Sequence, residues 1–140
     1  MIFKKFDQDF VNKLLKGKES NVLDFKLKVT SKEKIAKTIS AMANSEGGII
    51  LIGTTDQRKI IGIDPEEEMY MIVAANEEFC TPMASISLHE VKITDGEVDK
   101  DEKSVLIVEV NASVGSIVFV KHKNGSLKAY RRENDKTLAL

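Results

Sequence analysis

A chain of 140 residues, 42% of them hydrophobic and carrying a net charge of −1, has the length for one globular core burying about two-thirds of its unfolded surface. No run approaches the ~18 consecutive apolar residues that span a bilayer, and the charges in MIFKKFDQDF interrupt the apolar stretch a signal peptide needs, so a soluble, cytoplasmic protein without membrane association is expected. Cys80 stands alone, which excludes an internal disulfide, and with only His89 and His122 beside it a zinc cage of Cys and His ligands is excluded too.

In chain order, Phe6, Phe10, Leu14 and Leu15 recur at helical spacing before Gly17, which predicts a helix over 7–16. NVLDFKLKV alternates as a strand, with Leu23, Phe25 and Leu27 on one face and Val22, Asp24 and Lys26 on the other. Thr30 and Glu33 form the T-x-x-E pattern of a capping box, and the helix they open presents Ile35, Ile39, Met42 and Ala43 on one side before ending near Asn44. GGIILIG is short and apolar on both faces, as a central strand is; TDQRK then turns the chain and KIIGI supplies a hairpin partner. Pro65 suits the first turn of a helix whose dipole Glu66, Glu67 and Glu68 complement, with Met69, Ile72, Val73, Asn76, Phe79 and Cys80 along one face. ASISLHEVKI, SVLIVEV, SIVFVKH and LKAYRR follow as four strands between the turns TDGEVDKDEK, NASVG and KNG. This order of elements is α+β.

The charges along these elements are unevenly spread. Residues 1–62 hold 12 Lys/Arg against 7 Asp/Glu, residues 64–109 hold 3 against 13, and residues 110–140 hold 6 against 2. If the two basic ends fold onto one face, that face directs a positive field at phosphates; the bland alternative is that the charges keep a small domain in solution.

Chemistry concentrates at four places. Gly47 and Gly48, after Asn44 and Ser45, either turn the chain or leave N–H groups open to a phosphate, and neither G-x-x-x-x-G-K-[ST] nor G-x-G-x-x-G is present. Glu19, Asp24 and Asp56 flank two strands; if those strands are neighbours, the three carboxylates converge on a divalent metal, Mg²⁺ or Mn²⁺, while Lys26 neutralises a phosphate; otherwise they are ordinary surface acids. Tyr130 beside Arg131 and Arg132 suits a base stacked next to a held backbone, or else a charge-protected edge strand. His89 and His122 have no neighbouring serine or cysteine motif and read as exposed or satisfied strand residues, and Cys80 as a buried apolar one.

ESNVLDFK, the later run SAMANSEGGIILIGTTD, then KIIGI and the terminal AYRRENDKT together resemble the Schlafen AlbA-type domain family. The resemblance is specific over 19–63, weak over 64–126 and partial over 130–137. It implies one α+β domain over 1–140, with about three helices on a mixed or antiparallel sheet, that handles DNA or RNA and in bacteria is often joined to a helix-turn-helix region in DNA-binding regulators. In some animal relatives the matched acidic positions, here Glu19, Asp24 and Asp56, form a metal-dependent endoribonuclease site, and a duplicated core makes the cleft; one copy alone therefore implies a homodimer. Two departures stand out: Asp24 is one methylene shorter than the usual glutamate, and Glu133 follows Arg132 where the family tends to have a small or apolar residue. The family has also been described as divergent ATPases, but without a Walker lysine ATP hydrolysis is not expected.

The reading that follows is noncatalytic nucleic-acid binding, with a transcription-regulatory role within its scope and no cofactor, through Lys26, Asn44, Ser45, Gly47, Gly48, Tyr130, Arg131 and Arg132. Its alternatives are the metal-dependent endoribonuclease and a protein-interaction or small-ligand module that keeps only the fold.

Overall fold

The computed structural model describes residues 6–94 and 102–140. Its organising strand is β2 (Gly48–Ile52), which pairs in parallel with β1 (Leu23–Lys26) and antiparallel with β5 (Lys103–Val110); β4 (Ile86–Ile93) completes the first sheet in the order β1-β2-β5-β4. Alternation explains why a run of isoleucines sits there. Ile50 and Ile52 face one core with Leu106 and Val108 of β5, while Leu51 faces the other with Val105 and Ile107. The strand expected to be buried on both sides is so.

On the second of these faces lies α1 (Gln8–Lys16), capped by Asp7 and packed through Val11. The first face receives α2 (Lys32–Ala43) and α3 (Pro65–Phe79). Beyond α2 stands a second, wholly antiparallel sheet of β3 (Cys80–Thr81), β6 (Phe119–Lys121), β7 (Leu127–Glu133) and β8 (Lys136–Ala139). Its Val120 and Tyr130 join the core that holds Ile35, Ile39 and Met42, so α2 is wedged between the two sheets. That position explains why Thr38 and Ser40 are buried along with the apolar residues; the Ser40 hydroxyl donates to the Val118 carbonyl at 2.8 Å. Among the described residues the architecture is α+β with three helices, one mixed sheet and one antiparallel sheet.

Several boundaries differ from expectation. The strand over 21–29 shrinks to β1, and α2 is capped by Ser31, whose hydroxyl accepts from the Lys34 N–H, while Glu33 turns to the second sheet instead of back to the cap. KIIGI contributes only the bridge Thr54↔Ile60 and no strand. On α3, Val73 faces outward and the inward positions are Glu68, Ile72, Ala75 and Asn76, because the buried Glu68 carboxylate accepts from the Val29 N–H at 2.7 Å and Asn76 brackets the backbone of Ala84. Cys80 caps the end of α3, its N–H donating to the Asn76 carbonyl, and at the same time opens β3. β8 was not anticipated; it returns on β7 through Asn134, at φ 56°. The expected turn over 94–103 lies mostly outside the described residues.

Candidate nucleic-acid interface

Strand β1 sorts its side chains by parity. Leu23 and Phe25 enter the core under α1, which leaves Asp24 and Lys26 on the side of α2 and β7. There Asp24 is 3% exposed and meets Arg132, whose Nη2 lies 3.6 Å from Asp24 Oδ1 and donates to the Ser20 carbonyl at 2.6 Å. Arg132 also donates from Nη1 to Thr137 Oγ1 at 3.3 Å, and its backbone N–H donates to Ser45 Oγ at 3.0 Å. Lys26 Nζ lies 3.1 Å from Asp24 Oδ2 and neutralises it by proximity, off the hydrogen-bonding direction. Glu19 adjoins the same pair and accepts from the Phe25 N–H at 3.3 Å. Its carboxyl is held above the ordinary range, first by burial and then by its hydrogen bond and charge interaction with Asp24, against the pull of the Phe25 N–H and Lys26.

Asp56 does not join them. It is exposed in the turn after β2, and that turn's Arg58 lies over the Phe25 ring at 5.5 Å, on the α1 side of β1 and opposite Asp24. Among the described residues no three His, Cys, Asp or Glu side chains gather to hold a metal ion. With Asp24 already faced by a guanidinium and an ammonium, the acids present do not fit a divalent cation. β1 and β2 are neighbours as expected, but Asp56 lies beyond their paired residues, in the turn that follows β2.

Within the Asn44–Gly48 segment Glu46 is exposed, whereas Asn44, Ser45 and the two glycines prove to serve the fold. Asn44 caps α2, donates to the Val118 and Tyr130 carbonyls at 2.9 and 3.0 Å, and accepts from the Val118 N–H at 2.8 Å, which ties the helix end to the second sheet. Ser45 holds Arg132. Gly47 stands at φ +77°, where an added Cβ would lie 2.7 Å from the Val110 carbonyl oxygen, and one on Gly48 would lie 2.8 Å from that of Val22. What approaches these glycines is the protein's own backbone.

The open surface lies along α2. Three clefts run into one another around its N-terminal half. The middle one, about 410 Å³, is walled by Lys26, Lys34, Lys37, Tyr130 and Arg132. A neighbour of about 220 Å³ shares Lys26, Lys34 and Thr38 and adds Lys28. The third, about 380 Å³, shares Lys37 and Tyr130 and adds Lys123 and Lys128. Seven cations thus face three carboxylates, Asp24, Glu33 and Asp135, of which Asp24 is ion-paired and Glu33 is bonded to His122. Lysines of the basic segment 1–62 and of the basic segment 110–140 do meet here.

Tyr130 is 8% exposed, with Lys37 Nζ over its ring at 5.7 Å and its hydroxyl 2.8 Å from His122 Nε2, so no open aromatic platform remains for a base. Burial, and then the Glu33 charge, push its phenol above the ordinary range. Glu33 itself sits below the ordinary carboxylate range: desolvation, which would raise it, is outweighed by the Lys123 N–H and by His122 and Lys37. Arg131 points the other way, as strand parity demands next to Arg132, and pairs with Glu133 at 2.7 Å. The expectation that the two arginines act together on one face is therefore corrected.

Against known proteins, the sequence model of the family described as Schlafen, AlbA_2 matches residues 19–140. The chain belongs to the Schlafen AlbA_2 family. Membership connects this AlbA_2 chain with a nucleic-acid-related role. No curated protein matches it. Its fold is similar to that of the DIP2311 protein from Corynebacterium diphtheriae, solved by crystallography, with a TM-score of 0.52 at 14% sequence identity. That alignment covers 93% of the AlbA_2 chain but 25% of the DIP2311 chain, so the likeness concerns the fold alone. No helix among the described residues of the AlbA_2 chain is long and apolar enough to cross a membrane.

Lys28, Lys34, Lys37, Lys123 and Lys128, which line these clefts, were missed. The signal was in the sequence: Lys34 and Lys37 are three apart on the polar side of the helix over 32–43.

Proposed function

We propose that this AlbA_2 domain binds the phosphate backbone of nucleic acid along the lysine-walled groove beside α2, without catalysis. The observation that carries the reading is the excess of seven cations over three carboxylates in three joined clefts. Such a surface attracts a polyanion and releases its counterions on contact. With the Tyr130 ring covered by Lys37, contacts fall on phosphates and sugars, which position a nucleic acid without reading its sequence. Arg132 and Asp24 serve as the floor of the groove, and the lysines supply the contacts. A second copy, forming a homodimer, would add the opposite wall of a two-sided cleft; sedimentation velocity of the free and duplex-bound protein tests that part.

The groove reading is tested by fluorescence anisotropy with a labelled 20-base-pair DNA duplex and the matching RNA duplex at low salt. Lys34→Ala with Lys37→Ala weakens binding at least about tenfold, by loss of two phosphate contacts, with an unchanged melting curve. Arg131→Ala, on the opposite face of β7, leaves the affinity as it is. Equal affinities for wild type and the double lysine variant would overturn the assignment. Cleavage is no part of the proposal, because among the described residues no three acidic side chains gather as a metal-dependent nuclease site needs.

A further inference from the structure

One group in the groove is unexplained by phosphate contact alone: the hydrogen-bonded chain Glu33–His122–Tyr130. His122 Nδ1 lies 3.2 Å from Glu33 Oε1 and Nε2 lies 2.8 Å from the Tyr130 hydroxyl, and the imidazole side chain is 13% exposed. A carboxylate can only accept, so in the neutral ring Nδ1 carries the proton and Nε2 accepts from the tyrosine O–H. The tyrosine donor is then spent inside the protein. When the ring gains a proton both nitrogens donate, Nε2–H turns to the Tyr130 oxygen, and the phenolic O–H is released toward the groove that Tyr130 lines. The same event adds a positive charge to a wall that already holds Lys37, Lys123 and Lys128.

We infer that this chain is a proton-controlled catch on the groove: a protonated His122 frees the Tyr130 hydroxyl to donate to a phosphate oxygen, so that mild acid tightens nucleic-acid binding. The inference rests on the groove reading above. The charged and titratable groups facing the imidazole are Glu33 and Lys37 from α2, Lys123 from the β6–β7 turn, and Tyr130 and Lys128 from β7. Among the described residues Glu33 is the one carboxylate of this set, against three lysines. By linkage, a polyanion that binds the protonated form better must draw in a proton as it binds.

The experiment measures the affinity of the full chain for a labelled 20-base-pair DNA duplex between pH 8.0 and 5.5, with proton uptake at pH 6.5 read by calorimetry in buffers of different ionisation enthalpy. Wild type binds more tightly at the acid end, and the gain exceeds that of His122→Gln by about fivefold, the low end of ordinary coupling between linked sites. Tyr130→Phe keeps the charge and loses the donor, so it retains only part of the gain. His89→Gln, whose ring stacks on Phe6 on the far side of β4, follows the wild-type profile. Proton uptake on binding is seen in wild type and vanishes in His122→Gln. Parallel pH profiles for wild type and His122→Gln, with salt-sensitive binding intact, would overturn the catch and spare the groove. Absence of duplex binding across the whole range would remove both.

Discussion

Replacing Asn44 by alanine separates a structural clamp from a ligand contact. The side chain makes three hydrogen bonds to the backbone of Val118 and Tyr130, at 2.8, 2.9 and 3.0 Å. At roughly 1 kcal/mol net for each, their loss costs about 3 kcal/mol. Ser40 still donates to the Val118 carbonyl, so the Val118 N–H and the Tyr130 carbonyl are the groups that lose a partner. For a domain of this size a loss of that order lowers the melting temperature by roughly 10 °C. Differential scanning calorimetry reads it directly, and Asn44→Asp, which keeps the acceptor but puts a carboxylate against two carbonyls, melts no higher than the alanine variant. If Asn44 instead touches nucleic acid, Asn44→Ala lowers duplex affinity while the melting temperature stays within a degree or two, and the clamp is refuted.

Other consequences follow from the same coordinates. Gly47→Ala forces a Cβ to within 2.7 Å of the Val110 carbonyl at φ +77°, and urea denaturation will show a loss above about 2 kcal/mol, since left-handed strain and a backbone clash add. Glu19 is held above its ordinary value, so the folded state binds a proton more tightly than the unfolded chain, and stability is lost as pH rises from about 4.5 through the raised value. Glu19→Gln cannot ionise; its melting temperature relative to wild type therefore climbs across that interval, and a difference independent of pH would contradict the assignment. Burial pushes the Cys80 thiol up to about 12, so a disulfide-exchange reagent at pH 8 leaves it untouched in the native protein and modifies it in denaturant. Rapid native modification would show that this thiol is open to solvent.

How far the chain could be read before its structure depended on whether a residue's role was local. The paired-face burial of β2 and the start of α3 at Pro65 followed from neighbouring residues, and both hold. The α2 cap moved by one residue because Thr30 and Ser31 both offer a hydroxyl, and only the tertiary use of Glu33 by His122 and Lys123 decides between them. Asn44 to Gly48 were legible as a special turn but not as an inward one, since the strands that crowd the glycines arrive from Val22 and Val110. Strand parity could have separated Arg131 from Arg132 in advance, and Asn134-Asp135 could have suggested the hairpin to β8. Asp56 was not decidable from spacing, because a parallel pair fixes neighbours and leaves the following turn free to leave on either face.

The most direct measure of the groove is the salt dependence of duplex affinity, taken as log Kd against log salt for wild type and for Lys34→Ala with Lys37→Ala. Each lost phosphate contact removes about 0.9 from the slope, so the double variant should be shallower by about 1.8. A wild-type affinity that ignores salt, or two slopes that coincide, would contradict the placement of the polyanion along α2.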